Sequence, residues 1–399
     1  MVTASQTITR GARGRRVPLA LRNLLANKRR LVRSSAGIGF AVLLMLVQLG
    51  FERGFFESSL AMVREVYADL VIVSASKYQF HSRDPFAPGV LDTATKVIGP
   101  QSVFPLYAAW QDFSWKDPRG NQVYLVQGFG FDPDHPPFLL PEVREQAAKL
   151  KAADTVIVDR RAREFLGMAS GSGDTEINGH KVHIAGSFAL GPDFQADGTV
   201  MMSAETFAKL LPGSPPTAAL PVEFGTVLLG SIGSDYEAAE QERQKLQEAL
   251  PKDVRVLTKQ QLVDEERKFQ ADLSSAGPIF LMGTVVGFVV GLLISYQIIF
   301  TDLSDQLPQY ATLKGMGYNN FYLVRVVIGQ AALSALAGYV PAWLLCLLVY
   351  RVIGEIALLP LHMTLSLTLL SFGLTLGMCI LSALLAIRRV IRADPAEVF

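Results

Sequence analysis

The sequence predicts a membrane protein with four transmembrane α-helices in a one-plus-three arrangement and a large α+β periplasmic domain between the first and second helices. Residues 34–51, 276–300, 321–350 and 365–387 are long, nearly uncharged stretches, whereas the part between the first two has the mixed composition of a soluble domain. At about 1.5 Å rise per residue, roughly 20 apolar residues cross a hydrocarbon core of about 30 Å, and all four stretches reach or approach that length. Basic residues also crowd at both chain ends. With 50% hydrophobic residues, composition alone would also allow a core-rich soluble protein. Helices of such a protein seldom stay apolar on every face.

Orientation follows from the charges. Nine Lys or Arg lie between Arg10 and Arg33, with no acidic residue before Glu52, and Arg388, Arg389 and Arg392 follow the last apolar stretch. The positive-inside rule places both termini in the cytoplasm, as an even number of spans requires. The resulting plan is a cytoplasmic segment 1–33, spans at 34–57, 273–300, 321–350 and 365–387, an outer domain 58–272, a cytoplasmic link 301–320, a short outer loop 351–364 and a cytoplasmic tail 388–399. The outer domain carries 21 basic and 29 acidic residues, a net of −8. The long charged leader and the lack of a small-residue cleavage site predict that the first span stays as an anchor. Cys346 and Cys379 both fall in spans, so the outer domain has no disulfide framework.

Residues 18–30, PLALRNLLANKRR, place Leu21, Leu24 and Leu25 at helical spacing beside a polar side with Arg22, Lys28, Arg29 and Arg30. This reads as an amphipathic helix on the cytoplasmic leaflet, or as a positive topology determinant alone. Residues 55–68 remain helical in character, and 69–74 (DLVIVS) switch to a strand pattern. Further strands are expected at 122–127, 155–158, 181–185, 199–202 and 226–229, with Asn178-Gly179 as a hairpin turn. Residues 140–150, 205–211 and 236–250 read as helices, and 212–221 as a Pro, Gly and Ser-rich loop. The charged, helix-forming stretch 258–273 is expected to descend into the second span as partner of the helix rising from the first, making a stalk. In the second span Gly283, Gly287 and Gly291 recur every four residues, and Gly373 and Gly377 repeat the spacing in the fourth. Such a small-residue face suits close helix packing, between subunits or within one.

No P-loop, H-E-x-x-H, G-x-S-x-G or paired-cysteine zinc pattern occurs, so no catalytic or metal residues are expected, nor a nucleic-acid partner. His180 and His183 sit three apart on an expected strand, which turns them to opposite faces. Asp132 and Asp134 read as loop solvation. Gln48, Gln297 and Gln330 are polar groups in or near spans, read as hydrogen-bonding between helices because no charged residue sits mid-span to form a relay. Arg325 lies near the cytoplasmic end of its span and can reach the interface. The most informative short segment is the link TDLSDQLPQYATLKGMGYNN. Pro308 suits a first helical turn, Gln309 to Lys314 form a short helix, and Gly315 and Gly317 stop it. As a mere connector it would not need Tyr310, Leu313 and Met316, which offer an apolar side to a partner.

QLPQYATLKGMGY resembles the coupling helix of MacB/FtsX-type ABC transporter permeases, most closely the DevC-like branch. RRVIRADPAEVF at the C-terminus is similar to the ending of these permeases, and TVIVDRRAREFLG and FALGPDFQADGTVMMS resemble DevC-like segments of the outer domain. The resemblance spans nearly the whole chain. It implies that Gln309, Tyr310, Ala311, Leu313, Lys314, Met316 and Gly317 couple this chain to a separate ATP-binding cassette subunit, so that ATP is bound by the partner and no cofactor by this chain. The family usually carries glutamate where Gln309 stands, so the resemblance implies a neutral hydrogen bond here in place of a charged contact to the ATPase. A homodimer in the bacterial inner membrane is implied, working by mechanotransmission. By analogy a periplasmic membrane-fusion adaptor and an outer-membrane channel complete an exporter of a lipid, glycolipid or other amphiphile. The alternative is an FtsX-like regulator whose outer domain activates a periplasmic hydrolase without transport.

Overall fold

The computed structural model describes residues 28–118, 122–192, 195–230, 235–273 and 276–392. The amphipathic helix expected at 18–30 falls almost wholly outside the described residues, as does the tail beyond 392. Among the described residues four helices are long and apolar enough to cross a membrane: α1 (Lys28–Glu65) ahead of the sheet domain, and α7 (Ala276–Asp305), α9 (Asn320–Ala357) and α10 (Leu365–Arg392) after it. The chain divides into two compact units, one of residues 1–49, 282–349 and 363–399, the other of 50–281 and 350–362.

The second unit is built on nine strands: β1 (Leu70–Ser74), β2 (Val103–Lys116), β3 (Val123–Phe131), β4 (Thr155–Asp159), β5 (Gly173–Ile177), β6 (His180–Phe188), β7 (Thr199–Ser203), β8 (Phe224–Val227) and β9 (Val254–Thr258). Their order is β3-β7-β4-β6-β5-β2-β8-β1-β9, and β3 pairs again with β2. Six strands therefore close into a ring, which leaves no edge on the ring itself, while β8, β1 and β9 extend from it. Strand β2 serves both parts. Its residues Val103–Leu106 pair with β8, and Leu106–Ala109 and Phe113–Lys116 pair with β3 across a bulge.

Alternation along the strands explains the two cores. Leu70 and Ile72, Val156 and Val158, and Val200 and Met202 enter one apolar cluster, while Val71 and Val73, Ile157 and Met201 enter another. Successive side chains point to opposite faces, so an unbroken apolar strand such as TVIVD or TVMMS is one buried on both sides.

The ring closes between β5 and β2 at a single register pair, Trp115↔Ile177. The next residue, Asn178, stands at φ +50 and Gly179 at φ +77, the paired left-handed conformations of a tight hairpin turn. The Asn178 carboxamide accepts from the Ser114 amide at 2.8 Å and from its hydroxyl at 2.6 Å. It also donates to the carbonyls of Asp112 and Leu210, each at 2.9 Å.

Among the described residues the helices of the second unit include residues 50–65 of α1, α2 (Gly89–Ile98), α3 (Pro141–Gln146), α4 (Ala204–Leu210), α5 (Tyr236–Ala249) and α6 (Lys259–Lys268). Helix α1 runs beyond the span expected at 34–57 and stops where Tyr67 donates to Pro137 and Leu139 to Glu65. The ammonium of Lys259 donates to the Val63 and Val66 carbonyls at that end. Helix α6 starts at a capping box, Thr258 with Gln261, directly after β9, and passes into a π-helical turn at Phe269–Leu273. The sequence pattern does not single out β2, β5, β9 or α2.

Candidate functional site

The expected coupling segment lies in the first unit. Helix α8 (Leu307–Gly315) follows α7 after a one-residue break at Gln306, with Pro308 in its first turn. The Pro ring is pre-set for that position, where its missing N–H costs nothing. At the other end the Met316 amide donates to Thr312, Gly317 to Lys314 and Tyr318 to Leu313, with Gly317 at φ +89. This left-handed glycine reverses the chain. Asn319 then opens α9, its side-chain oxygen 3.5 Å from the Phe321 amide.

The helix has two sides. Tyr310, only 3% exposed, and Ala311 are buried against their own chain, and the Tyr310 hydroxyl donates to the Gln330 carboxamide of α9 at 3.4 Å. Gln309, Met316 and Gly317 are exposed, Met316 by 63%, while Leu313 and Lys314 are half-buried. Tyr310 therefore roots the helix instead of facing outward with Met316. Sequence reasoning noted Gln330 without its partner, because a helix-breaking link hides which of its residues folds back. Beside α8, Tyr318 and Tyr322 pack with ring centroids 4.8 Å apart, and Phe321 is exposed.

Close helix crossings support this segment. A Cβ on Gly39 would meet the Gly338 carbonyl at 3.1 Å, so α1 and α9 approach backbone to backbone. Of the three spaced glycines, Gly283 abuts the Gln48 side chain and Gly291 abuts Met378 and Ala41, whereas Gly287 faces open space. Gly373 and Gly377 face open space too. Polar contacts among these helices are small: Ser382 donates to the Leu292 carbonyl at 2.8 Å, and the Tyr339 hydroxyl reaches the Thr368 carbonyl at 2.8 Å. Cys379 lies 3.8 Å from the Ser295 hydroxyl, and Cys346 is buried. Gln297 is exposed.

In the second unit, His180 and His183 are exposed on β6, and His183 pairs with Asp174 at 2.8 Å. Asp132 accepts from His135 and from the Asp134 amide, closing its own loop. No group of three or more metal-ligating side chains occurs among the described residues. An open pocket of about 320 Å³ at the β2 bulge is lined by His81, Arg83, Trp110, Gln111, Asp112 and Gln195, with Arg83 and Asp112 paired at 2.9 Å.

Residues 281–395, which hold α8 and the helices around it, match the FtsX-like permease C-terminal domain. Over 381 residues, 95% of this chain and 98% of the relative, the protein is 23% identical to uncharacterised ABC transporter permeases of Mycobacterium tuberculosis and Mycobacterium bovis. Among solved structures it is similar to the periplasmic region of MacB from Actinobacillus actinomycetemcomitans, at 12% identity and a TM-score of 0.34 over 50% of this chain and 92% of that one. It is likewise similar to the extracellular domain of the noncanonic ABC-type transporter YknZ from Gram-positive bacteria, at 10% identity and a TM-score of 0.31 over 48% and 99%.

Proposed function

We propose that this permease is the transmembrane subunit of an ABC-type exporter that works by mechanotransmission, with hydrolysis supplied by a separate ATP-binding subunit docked on α8. The observation that carries the reading is the two-sidedness of α8: Tyr310 and Ala311 fasten it to its own chain, while Gln309 and Met316 are exposed. A helix so fastened passes a push on its outer side into the spans instead of yielding. The small hydroxyl contacts between α7 and α10 and between α9 and α10 suit spans that shift as packed rods, and the sequence offers no charged relay mid-span for cargo. On this reading both termini and α8 lie in the cytoplasm, the sheet domain lies outside, and two copies work together. An adaptor and outer channel receive a lipid, glycolipid or other amphiphile acted on by the outer domain.

The test is affinity purification of the full chain from its native membrane, assayed for a co-eluting nucleotide-binding protein and its ATP hydrolysis. Replacing 309–316 by a Gly/Ser linker should leave the chain in the membrane and abolish both co-elution and chain-dependent hydrolysis. Undiminished co-elution and hydrolysis with the linker would refute the reading.

A further inference from the structure

The segment between β1 and α2 carries a concentration of buried polar groups that the sheet itself does not need. Lys77 is 4% exposed and its ammonium lies 2.5 Å from a Glu223 carboxylate oxygen, the Glu223 residue being 3% exposed. The same ammonium donates to the Ser82 carbonyl at 2.5 Å and sits 4.5 Å over the Phe224 ring. Glu223 also accepts from the Asp84 amide at 3.0 Å. These bonds hold both ends of the segment against the residues that open β8.

The middle of the segment is tied elsewhere, to α6. The Phe80 amide donates to Glu266 at 2.6 Å, and the second oxygen of Glu266, a residue only 2% exposed, accepts from Gln270 at 2.8 Å. The Phe80 ring stacks on Phe224 at 4.7 Å. Arg255 of β9 donates to the Lys77 carbonyl at 2.7 Å while pairing with Glu265 of α6 at 3.1 Å, and the Tyr78 ring lies 5.6 Å from that of Phe269 in the π-helical turn. The segment thus bridges β8 to α6 through charges removed from water.

Burying such groups is costly, and an apolar filling of similar volume would often be as stable, so the arrangement is better explained by geometry than by stability. Hydrophobic packing is non-directional and tolerates sliding, whereas a buried carboxylate bonded to one amide fixes a position. Helix α6 leaves β9 with no linker, and its first turns are held by Lys259 and by Leu262 and Val263 in the apolar cluster, which leaves its far end to be fixed in direction. Glu266 stands eight residues along, a lever of about 12 Å at the α-helical rise.

We propose that residues 75–84 form a clasp that joins α6 and the sheet into one rigid body, with Glu266 as the positioning residue. Displacement arriving along the chain from α7 is then delivered to the sheet and not absorbed at the β9–α6 junction. The mechanical consequence rests on the reading of the chain as a mechanotransmission permease. The clasp itself does not.

Hydrogen exchange by mass spectrometry on the full chain in lipid nanodiscs tests the clasp without nucleotide or cargo. In Glu266→Ala, amides of 75–84 and of α6 should exchange at least tenfold faster, while those of β4 and β7 keep the rate of the unaltered protein. Glu266→Gln, which retains an acceptor for the Phe80 amide, should preserve most of the protection. An Ala variant whose α6 exchanges as before, or one that loses protection uniformly, would overturn the clasp. The mechanical consequence is tested in the complex with its ATP-binding partner. A cysteine pair, Tyr78→Cys with Phe269→Cys, closed by a short thiol cross-linker, should leave hydrolysis unchanged, because a rigid body loses nothing when pinned. Hydrolysis abolished by the cross-link shows that the segment must open and overturns the rigid-body proposal. Absence of any partner hydrolysis before cross-linking would instead count against the transport reading, leaving the exchange result to judge the clasp.

Discussion

The junction at Lys259 makes a quantitative test of the domain's electrostatics. Burial pushes the Lys259 ammonium from its ordinary value near 10.5 down to about 8, with Glu65 acting in the opposite direction. Each pKa unit corresponds to about 1.4 kcal/mol. The shift is then worth about 2–3 kcal/mol after allowing for the part of the side chain that solvent still reaches. Because the folded-state value is depressed, the unfolded chain binds more protons between pH 8 and 10.5, and stability rises with pH across that window. Below pH 8 the penalty is complete and constant, and above 10.5 it is gone. Lys259→Met removes the titrating group. Thermal unfolding of the purified chain, followed by tryptophan fluorescence from pH 7 to 10.5, should therefore show Lys259→Met losing the alkaline gain seen in the unaltered protein. The measured quantity is the difference in slope between the two proteins, so groups common to both cancel. Parallel pH profiles for the two would refute the assignment of a buried, proton-releasing ammonium at the end of α1.

Glu223→Gln should destabilise the second unit by about 3–5 kcal/mol because Lys77 is left charged and unpaired, whereas the double variant Lys77→Met with Glu223→Leu should recover most of that loss. Calorimetric unfolding of the three proteins checks it. Gly39→Leu should prevent accumulation of folded chain in the membrane, since its side chain would meet the Gly338 backbone, while Gly287→Leu should accumulate normally because nothing stands within 4 Å. Immunoblots of membrane fractions and size-exclusion profiles distinguish the two. Tyr310→Phe should lose about 0.5–1.5 kcal/mol of stability with the bond to Gln330. Met316→Ala, on the exposed side of α8, should instead lower the partner's hydrolysis while leaving stability nearly unchanged, as read by paired ATPase and melting measurements.

The long apolar runs made the four membrane-length helices legible, and uninterrupted apolar strands such as 69–74 and 199–202 were found because burial on both faces leaves no ambiguity of pattern. Strand β2 was not found, since Pro105 and the bulge at Trp110–Asp112 break its alternation and its partners lie on three other strands. Strand β5, GDTEI, is too polar to declare itself and pairs through its backbone. Strand β9 alternates clearly but runs without a turn into α6, so the helix-forming residues after Thr258 mask it. At the candidate site, the short helix and its glycine stop follow from local rules, whereas the inward turn of Tyr310 depends on Gln330, twenty residues away. The clasp lay beyond local pattern altogether: Lys77, Glu223 and Glu266 are ordinary surface residues by type, and only tertiary contact reveals them as buried.

Asn178 illustrates how one side chain can serve two scales. Any residue tolerant of a left-handed backbone would make the hairpin, and glycine would make it with less strain. Glycine would nevertheless surrender the three hydrogen bonds that tie the turn to β2, where a lone register pair joins it to β5, and a fourth to Leu210 at the end of α4. The seam of the six-strand ring would then rest on the backbone bond from residue 178 to the Ser114 carbonyl, the Thr175 hydroxyl on the Lys116 carbonyl and the Lys116–Glu176 pair, with less to keep its two margins from parting. The carboxamide of a turn residue thus reinforces a cylinder at the one joint where strand pairing is thinnest.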